Sequence, residues 1–230
     1  MRLLVTPEVT ALGIDVCMAL VKGAGVSNKS NPLEKKKKAV IGELQPQVDS
    51  MLGHPILQEY RHLHQLAGLA EGVPPAQHLL TLIQRNGRLP NINTVVDCYN
   101  LVSAQTLLSV GAHDTAHIRG DVRFVVTDGR EKYTPLGESE ALKVSAGEYA
   151  CMDKEKILCR MDLKQCAETR ITKDTTEFIV YVQGNRLTEF SYLTEALHNI
   201  CKLITEICGG EYEVINREAF CKDSPGNDRA

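Results

Sequence analysis

The residues best suited to chemistry lie in Arg88-Leu-Pro-Asn-Ile-Asn-Thr-Val-Val-Asp-Cys-Tyr-Asn-Leu-Val-Ser103, where Asn93, Asp97, Asn100 and Ala104 recur at helical spacing with Val95, Tyr99 and Val102 opposite. A solvent face is ordinarily built from Lys, Glu or Gln, because Asn and Asp each cost about half a kcal/mol in a helix interior. Short amides and a carboxylate on a rigid helix suit an ammonium, a hydroxyl or a water. The alternative is structural: Asn93 as an N-cap, with Asp97 and Asn100 tying the helix to a neighbouring loop. A second polar group follows an apolar strand pattern, with Arg160 at its end and Gln165, Thr169, Asp174 and Thr175 in turn-like sequence. An Arg leaving a strand can grip a phosphate or carboxylate bidentately, or pair with Asp162 or Asp174 to brace the loop.

Other chemistries lack their residues. His113 and His117 are four apart and His62 and His64 two apart, but there is no H-E-x-x-H and no cysteine pair at finger spacing, so no metal is expected. Both glycine-rich phosphate loops, G-x-G-x-x-G and G-x-x-x-x-G-K-S/T, are missing, as is the G-x-S-x-G elbow, which argues against nucleotide cofactors and a serine nucleophile. Eight scattered cysteines without a preceding signal peptide suggest reduced thiols and a cytoplasmic protein. The early apolar run is broken by Glu8, Asp15 and Lys22 and predicts no membrane segment.

At 230 residues and 43% hydrophobic, the chain is long enough for one large domain with a real core. A net charge of -3 means that any contact with nucleic acid must come from a local patch. Two short strands are expected at 3–6 and 13–21, and helices at 33–44, 55–70, 75–86, 92–108 and 193–208. The helix at 33–44 carries Lys35, Lys36, Lys37 and Lys38, read first as a solvated face. Strands are expected at 122–126, 149–152, 157–161, 178–183 and 212–215, with Asp128-Gly129 as a hairpin turn and a polar tail from 222. Helices first and strands later predict an α+β fold, its mostly antiparallel or mixed sheet backed by helices.

The segment from Arg88 to Ser103 resembles the R-P-x-N-x-V-V-D-x-x-N-Y-V signature of the tRNA-editing B3/4 module of the bacterial phenylalanyl-tRNA synthetase β subunit, and Arg123, Glu131 and Asp174-Thr175 follow in compatible order. The resemblance spans roughly residues 51–221, leaving 1–50 as an N-terminal extension. It implies a freestanding domain that binds aminoacyl-tRNA and hydrolyses a mischarged ester in trans, without metal or cofactor, and engages neither membrane nor DNA. Either the monomeric or an oligomeric state is compatible with it. Asn100 matches a pocket asparagine of the family. The family's pocket histidine falls at Gly111, with His113 the nearest imidazole, its tyrosine-reading glutamate falls at Tyr181, and its small Ala-Gly wall lands near Met161-Asp162. The expected site is therefore Asn100 and His113 for catalysis, Asn93, Asp97, Arg160, Gln165 and Thr169 for substrate, and Arg85, Arg88 and Lys35 to Lys38 for RNA. The alternative is a module that kept the fold, lost hydrolysis, and binds an amino acid, a nucleotide or an RNA end.

Overall fold

Strand β2 (Val16–Lys22) and strand β8 (Glu177–Gln183) are apolar along nearly their whole length because both of their faces are buried. In the computed structural model, which describes residues 1–219, they pair antiparallel at the centre of a four-stranded sheet ordered β3-β8-β2-β9, with β3 at Ser109–Asp114 and β9 at Glu211–Ile215. Cys17, Ala19, Val21, Phe178, Val180 and Val182 face a helical layer of α2 (Asn31–Leu44), α6 (Thr94–Thr106) and α7 (Phe190–Cys208). Val16, Met18, Ile179 and Tyr181 face a second sheet of six strands. That sheet runs β10-β1-β4-β5-β6-β7, from Arg217–Ala219 and Leu3–Val5 through Val122–Val126, Tyr149–Met152 and Ile157–Arg160 to Lys164–Gln165. Strand β1 is parallel to both its neighbours, and the remaining pairs are antiparallel. The result is α+β, with one mixed and one antiparallel sheet backed by helices. Strands β1 and β2, from the first fifty residues, pair inside both sheets.

Helices α4 (Pro55–Leu66) and α5 (Pro75–Asn86) begin on prolines, whose missing N–H costs nothing at a helix start. Gly87 ends α5 with φ 60. Helix α6 starts where Asn93 Oδ1 accepts from Val96 N at 3.0 Å. It ends at Leu107, which holds φ 63 with its side chain buried among Val48, Leu57, Ala76 and Leu80.

Several elements differ from the sequence expectation. The short helices α1 (Pro7–Ala11) and α3 (Val48–Leu52) and the strand β3 were not anticipated. β3 carries Gly111, His113 and Asp114 and is held as a strand by pairing with β8 along six residues. Asp128-Gly129 does not close a hairpin: β4 and β5 pair, but residues 127–148 make a long excursion between them, in which the Glu131 carboxylate accepts from Asp128 N and Gly129 N. Helix α2 is not a simple surface helix, since Leu33, Lys37, Ile41 and Leu44 form its buried face. The expected tail from 222, and Cys221, lie outside the described residues.

Candidate functional site

A cavity of about 410 Å³ opens between α6, the ends of β3 and β8, and the chain from β6 to residue 171. Val96, Tyr99, Val110, Leu163, Ile171 and Tyr181 make its walls largely apolar, and Lys164 and Arg170, both exposed, contribute cationic groups. Its polar lining comes from Asn93, Asn100, Ser109, Asp162, Gln165 and Gln183.

Asp162 is the hub of the buried polar groups. Met161 precedes it with φ 52, an uncommon conformation for a non-glycine residue, held by a fully buried side chain. Asp162 Oδ1 faces His64 Nε2 at 2.5 Å and accepts from the Tyr149 hydroxyl at 3.0 Å, while Oδ2 accepts from Ser109 Oγ at 2.7 Å. Gln183 Nε2 donates to the Tyr149 hydroxyl at 2.9 Å, and the Tyr60 hydroxyl donates to the Gln183 carbonyl. Burial pushes the phenols of Tyr60, Tyr149 and Tyr181 up, so they remain proton donors. Burial opposes charge on His64, but the Asp162 carboxylate outweighs it and the imidazole pKa is raised.

The expected site residues divide between this cavity and other places. Asn100 lines the cavity, half-buried, and its side-chain amide has no partner within the described residues. Gln165 lines it too, beside the Tyr99 phenol. Asn93 is on the wall with both amide atoms engaged, Oδ1 in the cap and Nδ2 on the Ile171 carbonyl at 3.3 Å.

Asp97 is turned away from the cavity. Oδ2 meets Lys37 Nζ at 3.1 Å and Oδ1 accepts from Ile92 N at 2.9 Å. At 100° per residue, Asp97 lies about 60° round the helix from Asn100, and Val96 and Tyr99 complete the cavity face instead. Arg160 is also elsewhere: its Nε and Nη2 grip Glu148 at 2.5 and 2.7 Å, and it borders a neighbouring cavity across Leu163 and Lys164. The brace expected from Asp162 or Asp174 is thus supplied by Glu148.

His113 is fully buried and does not line the cavity. Its Nδ1 meets Thr169 Oγ1 at 2.8 Å, its Nε2 has no partner, and its ring stacks on Tyr181 at 5.9 Å. Burial lowers its pKa to about 3, so it is neutral. Thr169 is consumed by the same contact. Gly111 stands opposite Tyr181 in the β3–β8 register, and a Cβ there would lie 2.3 Å from the Tyr181 ring.

The basic residues also separate. Lys35, Lys38, Arg85 and Arg88 are exposed, Lys36 pairs with Glu206 at 3.2 Å, and Lys37 is buried and unavailable to RNA. Sequence reading missed Ser109, His64, Tyr149 and Gln183, and gave Asp162 a bracing role and a place near the pocket wall but no part as a hydrogen-bond hub. They come from separate elements, so no local spacing marks them. Among the described residues, no three His, Cys, Asp or Glu side chains cluster to hold a metal, the seven cysteines are free thiols, and no helix is long and apolar enough to cross a membrane.

Two sheets stacked face to face, a helical layer and a cavity beside α6 make up the architecture that positions these residues. Residues 66–209, over half of the chain, match the family model described as the B3/4 domain, and the chain belongs to that family. Its fold is similar to that of an N-terminal fragment of the phenylalanyl-tRNA synthetase β subunit from Pyrococcus horikoshii, with a TM-score of 0.56 at 13% identity. The similarity covers 97% of this chain and 52% of that one, so this chain spans about half of the fragment. No curated protein matches the chain by sequence.

Proposed function

We propose that this chain binds the charged 3′ end of a tRNA and hydrolyses a mischarged aminoacyl ester in trans. The observation carrying this reading is the free amide of Asn100, presented by a rigid helix into an apolar-walled cavity whose exposed cations are Arg170 and Lys164, the latter in a solvent-exposed pair with Glu138 at 3.5 Å that a phosphate would have to displace. The amino acid would enter the cavity while the RNA stays outside. Residues 51–221 would supply the tRNA-binding module and the first fifty residues the strands that complete it. Such a protein would work on the cytoplasmic pool of charged tRNA.

An aminoacyl ester is already activated, so the protein need only orient it, admit water and stabilise the developing oxyanion. Asn100 is suited to the amine or a ribose hydroxyl, and its N–H₂ to the carbonyl oxygen. His113 is too enclosed to position water while Tyr181 stacks on it. The vicinal ribose hydroxyl of the substrate is the remaining candidate for that role.

A second reading, a binder without turnover, is favoured by one observation: Asp162, the carboxylate on the cavity, is occupied by three donors and free for no proton transfer. A deacylation screen over correctly and incorrectly charged tRNAs separates the two. Editing predicts ester hydrolysis that falls at least roughly tenfold in Asn100→Ala with the melting temperature unchanged. Stabilisation by charged tRNA without hydrolysis would establish the binder, and an unaltered rate in Asn100→Ala would remove Asn100 from the site.

A further inference from the structure

The hydrogen-bond polarity around Asp162 determines what the buried side of the cavity can accept. A carboxylate only accepts, so the single protons of the Ser109 and Tyr149 hydroxyls are both committed to Asp162. The Tyr149 oxygen must then accept from Gln183, which turns the amide so that Nε2 faces Tyr149. Gln183 Oε1 is left facing no partner, on a side chain that is fully buried and lines the cavity. A buried amide oxygen without a donor is costly, and it calls for one.

The charge of that donor follows from His64. Nε2 faces the Asp162 carboxylate and Nδ1 faces the Gly72 carbonyl at 3.2 Å, so both ring nitrogens meet acceptors and both must carry hydrogen. His64 is therefore an imidazolium, and the negative charge of Asp162 is already balanced. A cation placed beside this pair in an apolar cavity would have no unmatched counter-charge.

We infer that the cavity reads an uncharged hydrogen-bond donor on its ligand, a hydroxyl or carboxamide, through Gln183 Oε1, and disfavours both apolar and cationic groups at that point. The inference uses the proposed aminoacyl ligand only to choose probes. In that pose the ester stays with the RNA outside, and the group reaching Gln183 is the amino-acid side chain.

The test uses pairs of charged tRNAs that differ by one donor: seryl against alanyl, threonyl against valyl and asparaginyl against leucyl, with lysyl as the cationic probe. The same amino acids are titrated as free methyl esters, with binding read by NMR. The inference expects the donor-bearing member of each pair to be hydrolysed or bound roughly tenfold better or more, and the lysyl probe to rank with the apolar ones. Gln183→Met, which removes the acceptor at similar volume, should level each pair. The wild-type ranking decides the matter even if that variant does not fold. Equal treatment within pairs, or preference for the apolar or cationic member, overturns the inference while leaving deacylation intact. Pair preference among methyl esters with every charged tRNA ignored overturns the proposed function and leaves the inference standing. Binding of neither format overturns both.

Discussion

Replacing Lys37 by methionine should destabilise the protein severely, although Lys37 sits inside a run of four lysines. Its side chain is 4% exposed, and its ammonium contacts Asp97 Oδ2 at 3.1 Å, Glu34 Oε1 at 3.2 Å, the Pro90 carbonyl at 3.0 Å and the Asn91 side chain. Asp97, 3% exposed, retains only the Ile92 N–H once the cation is gone. Stranding a buried charge costs about 3–5 kcal/mol. At about 2–4 °C per kcal/mol for a chain of this size, Lys37→Met should melt ~6–20 °C lower by circular dichroism. Lys35→Met, on the exposed side, should stay within about 0.5 kcal/mol of the parent. Burial already raises the Asp97 pKa in the intact protein, ahead of the opposing pull of Ile92 N and Lys37. Without Lys37 the pKa should rise further, so the variant recovers stability as pH falls toward 4 and Asp97 is protonated. Lys37→Met with Asp97→Asn should regain more than half of the loss, because the amide keeps an acceptor for Ile92 N without the charge. Equal melting temperatures for Lys37→Met and Lys35→Met, with both variants weakening RNA binding, would refute the buried-pair reasoning and restore the lysine run as a solvated grip.

Gly111→Ala should cost about 1–3 kcal/mol by denaturant unfolding, since its Cβ would fall 2.3 Å from the Tyr181 ring, and Tyr181→Val in the same chain should relieve most of it. His113, neutral in the fold with a pKa near 3 against 6.5 unfolded, takes up protons on unfolding, so its share of stability is lost as pH falls from 6.5 toward 3. His113→Gln should flatten that limb of a melting-temperature profile. His64 has the opposite sign: its raised pKa contributes stability in full below 6.5, which is lost as pH rises through the folded value. Imidazole NMR shifts should show His64 titrating above 6.5 while His113 stays neutral. If tRNA phosphates rest on Lys164 and Arg170, alanine at either should reduce the slope of log affinity against log salt by about one, whereas Lys37→Met, where folded, should leave it unchanged.

Helix α5 was legible from end to end, because Pro75, the apolar spacing and Gly87 are local signals that tertiary packing had no reason to override. The β-branched stretch at 13–21 likewise announced a short strand, observed as β2 at Val16–Lys22, but not its burial on both faces. Asn100 was found through the oddity of short polar residues in a helix, and the same stripe misassigned Asp97, because its phase was taken from Asn93. Asn93 is the cap, with φ -159 and not helical, so it does not set the phase of the helix. The burial of Lys37 had a readable sign in its place between Leu33 and Ile41 at i, i+4 and i+8, but four consecutive lysines resemble a solvated face until a partner is known.

By itself the amino-acid sequence determined the order of the main helices and strands, the membership of the B3/4 family and the helix that walls the cavity, since periodicity, caps and a contiguous signature act over a few residues. Tertiary structure alone decided that Arg160 binds Glu148, that Tyr181 covers His113, and that Ser109, Asp162, Gln183, Tyr149 and His64 meet beside the cavity. The longest of those contacts, His64 to Asp162, joins positions 98 residues apart. Which donor meets which acceptor depends on strand register and sheet stacking, and neither leaves a trace in local spacing.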